Sequence, residues 1–193
     1  MVELGIVRIA QKYGSIPINH DLKGYPMDHW QTLHMATRLG VLDAPYPLRY
    51  LSIDDGVDLG RLLHAAAAPL PNEPTPTLSA TIDWAFAALQ GDYGRLLDAC
   101  SFAIETRSGL LGAIVVVKQA STVKILQLAV AQAFQNQQFE PVLLSAALNA
   151  LAQARYPQVQ VAVLANSSQA HFFTAQGFML AEDVNDASTS NHD

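Results

Sequence analysis

Between Ala113 and Gln176 the chain contains no glycine, so every turn in that stretch must be made by residues that carry a side chain. Within it, Val123 to Val130 reads as a strand and Gln132 to Gln138 as a polar loop. A helix opens at Pro141, and Val159 to Leu164 reads as a further strand. Asn166 follows, and glycine returns only with the pair Gly177-Phe178. The helix places Leu143, Ala146, Ala147, Ala150, Leu151 and Ala154 at helical spacing, and its alanines allow close packing on a sheet.

Upstream, Pro47 to Ile53 alternates as a strand does, and Asp54-Asp55 supplies a cap before the helical spacing of Val57, Leu59, Leu62, Leu63 and Ala66. Pro69 to Thr77 carries four prolines and reads as a loop, because proline removes a backbone donor and fixes φ. A second helix spans Leu78 to Leu89, stopped near Gly91 and Gly94. Ser101 to Thr106 and Leu110 to Lys118 are strand-like, with Arg107-Ser108-Gly109 as a tight hairpin turn between them, and Met179 to Glu182 offers a last strand. This order predicts an α/β fold, a mixed sheet flanked by helices.

Residues 1–45 are expected as an N-terminal extension, with a strand at Val2 to Ile9 and a helix from His29 to about Leu39, capped by Asp28 and ended by Gly40. The main domain is placed at 46–183, and 184–193, rich in Asp, Asn and Ser with no apolar period, is expected as a mobile acidic tail.

A chain of 193 residues that is 50% hydrophobic and 15% charged can bury a substantial core as one domain. Its formal net charge of -6 disfavours nucleic acid and anionic membrane as partners. The nearly uncharged apolar runs Gly109 to Val117 and Val142 to Ala154 fall short of the roughly 18 to 20 residues a spanning helix needs. The first residues lack the basic cluster and long apolar stretch of a secretory signal, and the lone Cys100 suits a reducing compartment. A cytoplasmic protein is expected.

Leu128-Ala129-Val130, the loop to Glu140, the helix with Leu143-Leu144, and Asn166 followed by Phe172-Phe173 and Gly177-Phe178 together resemble the GNAT superfamily of N-acetyltransferases. The resemblance covers about Tyr46 to Asp183 and includes Leu48 to Asp55 as the family's opening strand and helix cap. It implies a mostly antiparallel sheet, acetyl-CoA as cosubstrate, and a cleft where two neighbouring strands splay apart. It further implies that the backbone of Leu128 and Val130 pairs with the pantetheine arm. The pyrophosphate would rest on the loop Gln135, Asn136, Gln137, Gln138, Phe139 and Glu140, at a helix N-terminus whose first N–H groups lack internal partners. Asn166 and Phe173 complete the set of cofactor-binding positions. In that loop Gln138 and Glu140 replace two small residues, and from Ile125 onward the only Lys or Arg is Arg155.

The resemblance also implies a tyrosine acid at the position of Phe173, whose ring cannot donate a proton. No carboxylate lies on Val123 to Val130, where Lys124 and Gln127 are the polar residues. Glu105 acting through water and His171 are weighed as bases, while Phe173 reads foremost as a core aromatic beside Phe172 and Phe178, and Cys100 as a small buried hydrophobe. His29 and His34, five apart, do not make the i, i+4 zinc pair, so no metal is expected. Two functions stay open: an acetyl-CoA-dependent N-acetyltransferase acting on an amine of a small molecule or peptide, and a non-catalytic binding or regulatory protein of the same fold. A homodimer is an expectation from the resemblance.

Overall fold

The computed structural model describes residues 30–40, 44, 46–66, 76–135 and 137–181. Its first element is a strand, β1, Trp30–Ala36. The helix expected over His29 to about Leu39 is therefore replaced by a strand at 30–36, and residues 37–39 have no regular structure. Leu33 and Met35 alternate into the core, and β1 pairs antiparallel with Gln158–Leu164 along its whole length, so tertiary pairing outweighs the capping signals at Asp28 and Gly40. Residues 30–36 of the expected extension thus belong to the interior of the sheet. The strand expected at Val2 to Ile9, most of the Pro69 to Thr77 loop and the tail 184–193 lie outside the described residues.

The next elements follow the sequence reading closely. β2 is Leu48–Tyr50, and a 3-10 turn at Ile53–Asp55 leads into α1, Gly56–Ala66. In α2, Leu78–Gln90, the Thr77 hydroxyl accepts the Ala80 N–H at the start, and Gly91 closes the end with φ of 95°. Gly60 on α1 lies against Ile82 of α2, where a Cβ would come within 2.5 Å of the Ile82 Cα. That close approach lets the two helices form one layer.

The strands β3 (Arg95–Leu96), β4 (Phe102–Thr106), β5 (Gly109–Gln119) and β6 (Thr122–Val130) are followed by α3 (Phe139–Gln153), β7 (Gln158–Leu164), α4 (Ser168–Ala175) and β8 (Met179–Leu180). They form one eight-stranded sheet in the order β2-β4-β5-β6-β7-β1-β8, with β3 paired to β5. Every pairing is antiparallel except β6 with β7.

Both faces of the central strands are apolar, as burial on both sides requires. Ile114 and Val116 of β5 join Leu143, Leu144, Ala147 and Leu151 of α3, whereas Ala113, Val115 and Val117 join Leu59, Leu62 and Leu63 of α1 and Trp84 of α2. Three described residues after β1 contact α3 or the turn that follows it. Thr37 donates its N–H to the Pro157 carbonyl at 3.0 Å, the Asn149 side chain holds the Gly40 backbone, and the Tyr46 ring meets Phe139 edge-on at 4.3 Å. Among the described residues, no helix is long and apolar enough to cross a membrane.

Candidate functional site

The parallel ladder between β6 and β7 consists of two registered pairs, Lys124 with Gln160 and Ile125 with Val161. Beyond Ile125 no further β6–β7 pair is registered, so the facing edges of Leu126–Val130 and Ala162–Leu164 are not laddered to each other. A β-bulge marks the point where the ladder ends. Val116 pairs with Ile125 and Val115 with Gln127, which leaves Leu126 as an extra residue in β6. Before the bulge, Val123 and Ile125 face the α3 side; after it, Leu128 and Val130 do.

The phase of the backbone beyond the bulge follows from one hydrogen bond, donated by the Ala131 N–H to the Leu111 carbonyl of β5 at 2.7 Å. Successive residues of a strand direct their N–H and C=O groups to opposite edges. The groups of Leu128 and Val130 therefore face away from β5, on the edge that β7 does not pair. Both residues are buried, and a buried backbone group needs a hydrogen-bonding partner; the Leu128 carbonyl has a long one, the Gln127 Nε2 at 3.5 Å.

The loop that follows combines a 3-10 turn at Gln132–Phe134 with a left-handed residue, Gln138, at φ 65° and ψ 17°. This is the conformation that a glycine would supply, adopted here by a residue with a side chain. The Gln138 carbonyl accepts the Val142 N–H at 3.2 Å and so starts α3. Phe139, next in the chain, is fully buried between the Tyr46 edge and the Phe134 ring, the latter stacked at 5.8 Å and 18°. Three aromatic rings thus fix the loop. Gln137 and Gln138 are exposed, Gln135 is half-buried, and Asn136 lies outside the described residues.

Glu140 occupies the first turn of α3. Burial raises its carboxyl above the ordinary range, opposed by the hydrogen bond it accepts from its own backbone N–H. One of the donors at this helix start is therefore already turned to a carboxylate. Pro141 contributes no donor. Arg155 stands just beyond the opposite end of α3, about 22 Å away at 1.5 Å per residue.

The remaining sequence candidates disperse. Asn166 lies two residues beyond the open end of β7 with φ of 61°, a turn conformation that asparagine tolerates, while Ser167 caps α4 by accepting the Ala170 N–H at 3.1 Å. Phe173 is a core aromatic, edge-on to Phe172 and Phe178 at 5.2 and 5.0 Å. His171 is exposed on α4.

Glu105 is exposed on β4, separated from β6 by β5, and pairs with Arg49 at 2.5 Å. Arg49 also binds Asp55 through two bonds of 2.7 and 2.8 Å. Burial pushes the Cys100 thiol up to about 11, so it is not a nucleophile at neutral pH. His34 lies in β1, while His20 and His29 lie outside the described residues.

Two side chains were not fully read from the sequence. Gln127 and His34 are buried, and Gln127 Oε1 and His34 Nδ1 have no hydrogen-bonding partner among the described residues. The signal for Gln127 is its position as the one polar residue in the run Ile125 to Val130. The bulge that presents it depends on β5 and leaves no local trace.

No family model and no curated protein matches the sequence. Solved structures do. A GCN5-related N-acetyltransferase from Sphaerobacter thermophilus superposes with a TM-score of 0.53 at 13% identity, over 78% of this chain and 48% of that one. The chain has the fold of the GNAT superfamily. The ribosomal-protein-S18-alanine N-acetyltransferase from Escherichia coli gives 0.52 at 17% identity, over 69% and 77% of the two chains. The PaiA N-acetyltransferase from Thermoplasma acidophilum, solved in complex with coenzyme A, gives 0.51 at 16%, over 67% and 86%. This chain spans about half the length of the Sphaerobacter protein.

Proposed function

We propose that the protein is an acetyl-CoA-dependent N-acetyltransferase that holds the pantetheine arm between β6 and β7 and acetylates an amine of a small molecule or peptide. The observation that carries this reading is the end of the β6–β7 ladder at Ile125, which leaves the buried backbone groups of Leu128 and Val130 on an edge that β7 does not pair. An extended amide-bearing chain supplies the donors and acceptors that such an edge needs.

The strand half of the site fits this ligand well, and the loop half fits it by geometry. Gln138 keeps the left-handed turn, and the helix start behind it offers backbone N–H groups to a pyrophosphate. Phe173 cannot protonate the departing thiolate, so that proton comes from water or from the attacking amine.

A second reading, a GNAT-fold binding protein that has lost CoA, draws support from Glu140, whose carboxylate bonds to the helix start that the pyrophosphate would use. Two unit charges 4 Å apart repel by roughly 4 kcal/mol at an effective dielectric of 20, less when solvent screens them. Calorimetric titration of acetyl-CoA and desulfo-CoA separates the two readings. Binding of both is expected, tightened about tenfold or more by Glu140→Gly. Absence of binding at millimolar ligand overturns the enzyme reading and leaves the second.

A further inference from the structure

Gln127 stands two residues beyond the last β6–β7 pair, immediately after the bulge residue Leu126. Its partner across β5 is Val115, so the side chain lies on the α1–α2 face of the sheet, with Ala129. It is 3% exposed. Its Nε2 reaches the Leu128 carbonyl at 3.5 Å, and that carbonyl lies on the edge that β7 does not pair. Its Oε1 has no hydrogen-bonding partner among the described residues.

A buried carboxamide oxygen left without a donor costs stability, and a strand position is more stably filled by an apolar side chain. The retained oxygen therefore points to a ligand that donates. Resting on the acetyltransferase reading, we propose that Gln127 is the acceptor-binding residue of this cleft: Oε1 accepts a hydrogen bond from the N–H of the amine that attacks the thioester. The nitrogen lone pair forms the C–N bond, the C–S bond breaks, and CoA leaves as the thiolate. The proton shed by the nitrogen passes through water to the thiolate.

The chemistry of the surroundings names the acceptor class. A carboxamide brings neither negative charge to hold an ammonium nor a base to deprotonate one. Among the described residues, β1, β6 and β7 carry no carboxylate. Their other polar side chains on this face include His34, Gln160 and Lys124, the last bonded to Gln119 at 2.7 Å. Across the face, Asp58 of α1 pairs with Arg61, Asp83 of α2 is exposed, and Asp55 is held by Arg49. The site thus suits a weakly basic amine that enters neutral, such as an α-amino group next to an amide, over a strongly basic alkylamine.

The test uses the full chain, acetyl-CoA, glycinamide and propylamine at neutral pH, with acetyl-CoA binding measured calorimetrically in the same samples. The wild type is expected to acetylate glycinamide at least about tenfold more efficiently than propylamine. Gln127→Leu should lower kcat/KM for glycinamide about 10- to 100-fold, change acetyl-CoA affinity by much less than that, through its bond to the Leu128 carbonyl alone, and raise Tm by about 2–4 °C. Gln127→Glu should recover activity on propylamine by adding the missing charge. Failure of acetyl-CoA to bind overturns the acetyltransferase reading and this inference with it. Binding without turnover of glycinamide, or unchanged glycinamide kinetics in Gln127→Leu with a lowered Tm, overturns the role of Gln127 alone.

Discussion

Asn149 grips the backbone of Gly40 with both ends of its carboxamide, Oδ1 accepting the Gly40 N–H at 2.6 Å and Nδ2 donating to the Gly40 carbonyl at 3.1 Å. Six residues further on, Tyr46 meets Phe139 at the start of the same helix. Gly40 and Tyr46, which lie between β1 and β2, are thus tied to α3 near its end and at its start, and the second tie is to the residue that follows the left-handed Gln138.

Removing the aromatic tie should therefore loosen the loop and the fold together. Tyr46→Ala is expected to cost about 1–3 kcal/mol in urea unfolding, and a double-mutant cycle with Phe139→Leu should show coupling of about 0.5–1.5 kcal/mol. Additive effects would mean that Tyr46 and the loop are independent.

Gln138 invites a gain. A side chain in the left-handed region carries a penalty of roughly 1–2 kcal/mol, partly offset in any glycine variant by the larger entropy of the unfolded chain. Gln138→Gly should stabilise the protein by about 0.5–1 kcal/mol, whereas Gln138→Val, branched at Cβ, should destabilise it by more than 1 kcal/mol. Matched chemical denaturation of the two variants checks the sign.

Arg49 binds two carboxylates from different elements, Asp55 at the entry to α1 and Glu105 on β4. Burial pushes the Asp55 carboxyl up, but hydrogen bonds from Arg49 and the Ser52 N–H outweigh it and hold the group below its ordinary range. A depressed carboxyl contributes stability above its unfolded pKa and loses it as pH falls through the folded value. Arg49→Met should cost about 1–2 kcal/mol at neutral pH, discounted for the partial exposure of the guanidinium, and should flatten the acid limb of the stability profile.

How far the sequence carried the fold is clear from particular elements. Arg107-Ser108-Gly109 marks its hairpin because a turn writes its chemistry locally, and α1 and α2 show their period and their caps. β1 does not, because Leu33 finds its partner Val161 more than a hundred residues later, and Asp28 and Gly40 mimic helix ends. In the site, Leu128 and Val130 were legible through the resemblance, while the bulge at Leu126 depends on the register with β5. Likewise Gln138 gives no hint of its left-handed conformation, since no glycine marks the position.

Glu140 should give the opposite pH behaviour to Asp55. Its carboxyl is raised chiefly by burial, with the bond from its own N–H opposing, so the folded state holds the proton more tightly than the unfolded chain. Between the unfolded and the folded pKa the native state binds more protons, and stability falls as pH rises through that window. The favourable contribution is complete below the unfolded glutamate value and gone above the folded one. Glu140→Gln removes the ionisation, so the urea midpoint of the variant relative to the wild type should rise as pH increases from about 4 to 7. Acetyl-CoA affinity should follow the same course, since the ionised carboxylate competes with phosphate for the N–H groups at the start of α3. Wild-type affinity is expected to weaken across that interval while the variant's stays level. Parallel profiles for the two proteins would show that the carboxylate does not contest the site.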